Sequence, residues 1–507
     1  MTESAQNTHD AKRIANVHPA DWVNPAPADR YNLVVIGAGS AGLISAAIAA
    51  GVGAKVALIE RDLMGGDCLN VGCVPSKALI RVSRMIKEAR DAEAFGLAIA
   101  VGSEVDFAAA MERMRRIRAQ ISEEDSAKRY RDELGVDVFL GSGRFTGANS
   151  VEVDGATLRF SKAVIATGAR AIAPQIAGLA EAGYLTNETV FDLIERPRRF
   201  GVIGSGPIGS ELAQAFNRLG SEVTVFDQAP HILPREDADA AELIQRQLVS
   251  EGVKLVLGCQ VEKVERVDSL GDEKRIHVTT ADGAREAIAV DAILVAIGRA
   301  PNVAGLDLEE AGVAYDEHRG VHTNDYLQTT NPRIYAAGDI AMEWKFTHAA
   351  DAAAKIVVQN ALFLRTKKVS SLVMPWCTYT DPEVAHVGLY EHDATASGVE
   401  IATFHVPLES VNRAVTDGKQ DGFVKIHTKK GTDTILGATI VSSQAGEMIS
   451  EVTLAMTNKL GLGAILNTIH PYPTQAEALK RAAGAYTRTR ATPTISRLLE
   501  RFMAFRR

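Results

Sequence analysis

Cys68 and Cys73 lie five residues apart in the stretch Gly65-Gly66-Asp67-Cys68-Leu69-Asn70-Val71-Gly72-Cys73-Val74-Pro75-Ser76-Lys77, and thiols so placed can make and break a disulfide. In an ideal α-helix residues five apart are about 8–9 Å from each other at Cα, beyond the limit of about 7 Å for a disulfide. The intervening segment must therefore depart from a helix, and Gly72 supplies backbone freedom for that. Pro75 suits the first turn of a following helix, in which Leu79, Val82, Met85 and Ile86 recur at helical spacing. Cys73 then sits near a helix N-terminus with Lys77 one turn on, and both favour a thiolate over a thiol. Cys259 and Cys377 fall in strand-like runs and read as buried small hydrophobes. The chain has only four cysteines in 507 residues and no N-terminal apolar stretch resembling a signal peptide. That points to a reducing, cytoplasmic compartment, where a cycling disulfide is at home and a lone permanent one is not.

The elements that must position these thiols begin at Asn32. Strand Leu33 to Ile36 leads into Gly37-Ala38-Gly39-Ser40-Ala41-Gly42, a helix to about Ala50, and a strand from Lys55 to Ile59 that ends in Glu60. Gly37, Gly39 and Gly42 let the backbone approach a pyrophosphate at the helix N-terminus, and Glu60 can accept from ribose hydroxyls. The pattern recurs as strand Phe200 to Ile203, Gly204-Ser205-Gly206-Pro207-Ile208-Gly209, a helix to about Leu219, and strand Glu222 to Phe226 ending in Asp227. First glycine to acid spans 23 residues in both copies. The chain is thus expected to bind two dinucleotides.

The cysteine stretch, written GGxCxxxGCxPSK, resembles the redox-active disulfide of the flavoprotein disulfide reductases, which include dihydrolipoamide dehydrogenase, glutathione reductase and mercuric reductase. The resemblance implies an α/β fold with two Rossmann-like dinucleotide-binding domains and a C-terminal α+β dimerisation domain. It makes the first glycine loop, with Glu60, the FAD site and the second, Gly204, Gly206 and Gly209 with Asp227, the nicotinamide site. Ala166-Thr167-Gly168 resembles the strand end that closes the first FAD segment, with Thr167 and Gly168 at the flavin. Ala296-Ile297-Gly298-Arg299-Ala300-Pro301-Asn302 resembles the return from the nicotinamide domain, with Gly298 at that cofactor. Ile334-Tyr335-Ala336-Ala337-Gly338-Asp339 resembles the second FAD fingerprint, with Asp339 on the ribityl or pyrophosphate region. Glu211 matches the family glutamate that pairs with the PSK lysine, here Lys77, beneath the flavin. Tyr379-Thr380-Asp381-Pro382-Glu383-Val384-Ala385 with Val387-Gly388 resembles the opening of the dimerisation domain. The resemblance runs from residue 31 to about 486 and implies a homodimer whose active sites are each completed by the partner.

The expected order is a flexible tail (1–29), the first FAD segment (30–168), the nicotinamide domain (169–299), the second FAD segment (300–366), the dimerisation domain (367–486) and a basic tail helix (487–507). After residue 367 the texture suggests antiparallel strands and two helices.

One departure bears on the acceptor. Dihydrolipoamide dehydrogenase and glutathione reductase carry a His before Pro-Thr and a Glu five positions after it, the acid/base pair of thiol exchange. This chain reads His470-Pro471-Tyr472-Pro473-Thr474-Gln475-Ala476-Glu477, so Tyr472 stands at the histidine position with Glu477 in place. A phenol ionises near pH 10, at about three units above neutrality, and is a poor proton shuttle. His470 reads as structural. Mercuric reductase resembles this arrangement, Tyr followed by Glu, although no cysteine follows Cys377 here to supply that branch's vicinal pair.

The implied activity is an FAD-dependent NAD(P)H oxidoreductase. Electrons would pass through flavin to the Cys68–Cys73 disulfide, with Cys73 on the flavin side and Cys68 facing a small disulfide or a thiophilic metal ion. Dihydrolipoamide dehydrogenase is the alternative enzyme, and a redox-responsive flavoprotein binding module the alternative outside enzymes. NADH is expected over NADPH, because Asp227 can accept from a 2′-hydroxyl but repels a 2′-phosphate, and the nearest following base is Arg235. No resident metal is expected. A net charge of −8 argues against nucleic acid as partner, and no run approaches a membrane span. Past Thr492, an expected N-cap, Ile495, Leu498, Leu499, Phe502 and Met503 share one helical stripe among arginines. The stripe reads either as packing on the dimerisation domain or as a peripheral contact with an anionic membrane.

Overall fold

The first parallel sheet forms where the sequence places buried β-branched runs between glycine turns. A computed structural model describes residues 3–97, 105–172, 174–267, 273–491 and 493–507. Strands Asp137–Leu140, Val56–Glu60, Tyr31–Ile36, Ala156–Ile165 and Ile334–Ala336 lie side by side and parallel, with Val35 opposite both Leu58 and Val164. Every residue of Val56–Glu60 is buried, as a strand covered on both faces requires. Helix Ser40–Gly51 follows the first strand. A second parallel sheet orders Lys254–Leu257, Glu222–Asp227, Arg199–Ile203 and Ala292–Val295, with helix Pro207–Arg218 after Arg199–Ile203. The two halves are joined through a two-stranded ribbon, Ala169–Ala171 against Arg299–Pro301.

These elements belong to one compact unit, Met1–Gln228 with Glu251–Ser371, and Ala229–Ser250 with Leu372–Arg507 forms another. The second unit is built on a five-stranded antiparallel sheet ordered Pro375–Thr378, Glu383–Gly388, Ile435–Ser442, Phe423–Lys429, Ile401–Pro407. Between residues 372 and 490 it carries five helices, Glu391–Ala396, Asn412–Thr416, Ala445–Thr457, Leu462–Asn467 and Glu477–Thr489, where two were expected. The additional ones are a turn or two long, too short for a periodic apolar pattern to register. Its core holds charge: Lys425 is buried and meets Asp237 at 2.7 Å and Asp239 at 2.8 Å. Beside it Glu236 accepts from Trp376 Nε1 at 2.9 Å and Tyr390 Oη at 2.6 Å. His386 stacks on Tyr390 with ring centres 3.6 Å apart.

The expectation of a flexible tail over 1–29 is corrected. Residues Glu3–Val17 form a helix, held by charge rather than by an apolar stripe, which is why periodicity missed it. Asp10 pairs with Arg13, Arg115 and Arg118 at 3.3, 3.4 and 3.0 Å. The segment beyond it covers the edge strand Asp137–Leu140: Asn24 donates to the Leu140 carbonyl at 3.0 Å and accepts from its N–H at 2.8 Å. An open strand edge is thereby satisfied.

At the other end, helix Pro493–Phe505 begins at the expected proline, and the expected cap Thr492 lies outside the described residues. Along its stripe Ile495, Leu498, Leu499, Phe502 and Met503 are 45 to 65 % exposed.

Candidate functional site

The backbone around the thiols breaks where the chemistry needs it to. Gly66–Asn70 is a short helix carrying Cys68, Val71 and Gly72 interrupt it, and Cys73 opens the helix Cys73–Arg90. Gly72 is needed for close approach rather than for a left-handed turn, since a Cβ there would come within 2.7 Å of the Asp67 carbonyl oxygen. Both thiols are free, Cys68 half-buried and Cys73 exposed.

Their environments push them apart. Cys73 is held below the usual thiol range, first by the hydrogen bond from Cys68 and then by Thr347 and the Lys77 charge, against burial and Glu211. Thr347 Oγ1 lies 3.3 Å from Cys73 Sγ. Cys68 is pushed up, first by its hydrogen bond to Cys73, then by burial and by the Cys73 and Asp125 charges. The setting thus favours the thiolate on Cys73 and the thiol on Cys68.

Lys77 Nζ meets Glu211 Oε2 at 2.9 Å, with the glutamate nearly buried, joining the cysteine helix to helix Pro207–Arg218. Glu211 by itself carries no mark of burial in the sequence and is paired with Lys77 there only through the resemblance; in the structure it is buried and meets Lys77.

The two glycine loops fit dinucleotides. Gly37 and Gly204 have φ of +99° and +102°, and a Cβ would lie 2.4 Å from Ala166 O and 2.6 Å from Ala296 O. Gly42 and Gly209 pack on the carbonyls of Gly37 and Gly204, where a Cβ would come within 1.8 and 1.9 Å. The middle glycines face open space instead: nothing lies within 4 Å of a Cβ at Gly206, and only Gly66 Cα, at 3.8 Å, near one at Gly39. That is the shape of a phosphate cradle at a helix N-terminus. The acids brace the loops, Glu60 accepting from Ala38 N–H at 2.6 Å and Asp227 from Ser205 N–H and Oγ at 2.6 Å each. Burial raises the Glu60 carboxyl.

Thr167 and Gly168 sit at the crossing between the halves, where Thr167 Oγ1 donates to Asn302 O at 3.0 Å and Asn302 Nδ2 returns a bond to Thr167 O at 2.9 Å. Gly298, φ +135°, precedes Arg299. Arg299 was given no role by sequence, yet it pairs with Asp67, reaches Asp339 at 3.4 Å and donates to Ala169 O at 2.6 Å. It therefore ties the cysteine turn, the crossover ribbon and the Asp339 turn together. Burial raises Asp339, and Arg299 opposes that. An arginine within a family-like motif was the available signal; its partners were not legible.

In the other unit, buried Gln475 accepts from Ser442 Oγ at 2.6 Å and anchors the loop before helix Glu477–Thr489. Tyr472 is 70 % exposed, and its Oη accepts from Asn412 Nδ2 at 2.8 Å. Glu477 pairs with Arg481 at 2.9 Å, and its Oε2 is buried with no hydrogen-bond partner among the described residues. His470 is engaged by Glu451 at 2.9 Å and by the Thr468 carbonyl at 3.1 Å, so its ring is spent on the fold. Cys259 is buried, with Sγ donating to Val256 O at 3.1 Å. Cys377, expected buried, is only half-buried because it sits on the edge strand Pro375–Thr378.

Comparison with known proteins agrees with this geometry. Residues 31–354 match the pyridine nucleotide-disulphide oxidoreductase model and residues 374–483 the dimerisation domain of the same proteins. A mercuric reductase of Lysinibacillus sphaericus is 38% identical over 475 residues, 94% of this chain and 86% of the relative. A dihydrolipoyl dehydrogenase of Thermus scotoductus is 34% identical over 475 residues, 90% of this chain and 97% of the relative. The Cu(II) complex of the HOCl-induced flavoprotein disulfide reductase RclA from Escherichia coli superposes with a TM-score of 0.80 at 28% identity, covering 90% of this chain and 100% of that one. The chain belongs to the pyridine nucleotide-disulphide oxidoreductases, an FAD-dependent enzyme family that uses pyridine nucleotides.

Proposed function

We propose that this enzyme carries electrons from NADH to Cys68 and Cys73 and from Cys68 to a small disulfide or a thiophilic metal ion. The observation that carries the reading is the place of Cys73 at the opening of helix Cys73–Arg90, 3.3 Å from Thr347 Oγ1 and one turn before Lys77, which is itself paired with Glu211; that setting favours a thiolate on Cys73 and leaves Cys68 to exchange. FAD, held by the first glycine loop with Glu60, Thr167, Gly168 and Asp339, supplies when bound the two-electron relay between nicotinamide and thiols. The chain's own residues do the rest. Lys77 holds the Cys73 thiolate and is itself held by Glu211. Gly204, Gly206 and Gly209 receive the nicotinamide dinucleotide, with Gly298 beside it. Asp227 favours NADH by accepting from a ribose 2′-hydroxyl. Tyr472 and Glu477 line the acceptor side of the partner's thiols in a homodimer, as the dimerisation domain favours.

The exposed arginine-flanked stripe of Pro493–Phe505 supports a peripheral contact with an anionic membrane. Among the described residues no helix is long and apolar enough to cross one, and we place the enzyme in the cytoplasm.

An anaerobic titration with NADH and with NADPH, followed by turnover with lipoamide, glutathione disulfide and Hg(II), tests the reading. Two-electron reduction of the thiols and turnover with at least one acceptor are expected, with higher kcat/KM for NADH. Slow oxygen reduction alone would overturn it in favour of a redox-responsive binding role.

A further inference from the structure

Helix Glu3–Val17 precedes the residues that match the oxidoreductase model, which begin at 31, yet it reaches the turn between the two thiols. Asn70 ends the short helix that carries Cys68, and it is buried. Its side-chain amide donates to the carbonyls of Met64 at 3.1 Å and Gly66 at 2.9 Å, and its Oδ1 accepts from Arg13 Nη1 at 2.6 Å. Its backbone carbonyl, one of the last of that helix and in need of a partner from outside, accepts from Arg118 Nη1 at 2.8 Å. Both arginines are buried, and Asp10 orients both, at 3.3 Å from Arg13 and 3.0 Å from Arg118. One carboxylate of the N-terminal helix thus directs two guanidinium groups onto a residue that lies between Cys68 and Cys73.

On the reading that Cys68 and Cys73 cycle between dithiol and disulfide, we propose that Arg13 and Asp10 are positioning residues for the pair. By fixing Asn70 they hold the turn in its dithiol form and set how readily the disulfide closes. Closing forms the Cys68–Cys73 S–S bond and breaks the S–S bond of an oxidant disulfide, which takes two electrons and two protons from the dithiol and becomes two thiols.

The direction follows from where the clamp is built. Both thiols are free in this arrangement, so the hydrogen bonds on Asn70 belong to the dithiol form. Closing draws the two sulfurs to a covalent bond of about 2.05 Å, and the backbone between them has to follow. Asn70 resists, because a buried charge-assisted bond that stretches leaves both partners unsatisfied away from water. Val71 is anchored too, its N–H on the Asp67 carbonyl at 2.9 Å and its carbonyl on Asn187 Nδ2 at 3.3 Å, but by neutral groups whose bonds are weaker.

The test reads the midpoint of the Cys68–Cys73 couple in the full chain, in buffers of reduced and oxidised dithiothreitol, with the free thiols captured by iodoacetamide and counted by mass spectrometry. Arg13→Met keeps the stem and loses the donors. It should shift the equilibrium about tenfold toward the disulfide, a fall of about 30 mV in potential. Asp10→Asn should shift it the same way, and Arg13→Lys, which keeps one donor for Asn70 Oδ1, should recover part of the loss. Lys12→Met cuts the same helix from Glu123 without touching Asn70 and should leave the midpoint in place. An unchanged or raised midpoint in Arg13→Met, or an equal fall in Lys12→Met, would overturn the proposal. Hydrogen exchange at the Val71, Gly72 and Cys73 amides of the reduced protein gives a readout without redox change. It should quicken about tenfold in Arg13→Met and Asp10→Asn and stay at the wild-type rate in Lys12→Met, and no difference among the variants rejects the clamp. If the wild-type pair stays reduced in every buffer, the reading of a cycling disulfide fails, and exchange at these amides still decides whether Arg13 holds the turn.

Discussion

Lys77 sits one helical turn past Cys73 and lowers its thiol, while Glu211 raises it. The two residues therefore act on the same sulfur with opposite signs, and the 2.9 Å pair between them sets the balance. Lys77→Met should raise the pH midpoint of Cys73 alkylation in the reduced protein, and Glu211→Gln should lower it. Rates of iodoacetamide incorporation between pH 5 and 9 read this directly, and a common shift of both variants in one direction would contradict it. The reasoning depends on charge and not on shape, so Lys77→Arg should stay near wild type although it alters the geometry at Glu211.

Two elements make demands of their own. Strand Glu383–Gly388 carries His386, fully buried, with Nδ1 on Thr439 at 2.9 Å and Nε2 on the Gly388 carbonyl at 3.0 Å. Burial brings it down to about 4, aided by His427 and Lys425 and opposed by the Gly388 carbonyl and Asp237. A histidine kept neutral in the fold binds fewer protons than in the unfolded chain, whose imidazole titrates at about 6.5. Stability contributed by His386 is thus complete above about pH 6.5 and is lost as pH falls toward 4, about 2 kcal/mol of it by pH 5. Urea midpoints from pH 7.5 to 5 should fall less for His386→Gln than for wild type, and parallel slopes would refute this. Helix Pro493–Phe505 is the second case, since its apolar stripe is solvent-facing and its flanks are basic. Truncation after Ala491 should abolish sedimentation with anionic vesicles and leave NADH oxidation unchanged. If the full chain ignores such vesicles, or the truncated chain no longer dimerises, the stripe is a packing surface instead.

For the assembled molecule the decisive question is where one active site ends and the next begins. The thiols lie in one compact unit and Tyr472 with Glu477 in the other, and Glu477 Oε2, buried with no hydrogen-bond partner among the described residues, is an acceptor open to a donor. If each site takes its thiols from one protomer and its glutamate from the partner, a mixture of Cys68→Ser and Glu477→Gln subunits regains one intact site per mixed dimer. Random exchange should then give about a quarter of wild-type turnover. Activity no greater than that of the two parents would mean that both sets of residues serve the same protomer's site.

The glycine loops, their terminal acids and the cysteine run could be read from the chain because each works through neighbours in sequence. A left-handed Gly37 or Gly204, a helix opening at Cys73 and an acid 23 residues on are local requirements that leave local marks. The Lys77–Glu211 pair, 134 residues apart, was legible only through resemblance, since a lone helix glutamate carries no sign of burial. Nothing in the sequence joined Arg299 to Asp67 and Asp339, or turned the polar N-terminal residues into a helix clamped by buried arginines. Those arrangements depend on desolvation and on charges meeting through space, and neither exists until the chain has folded.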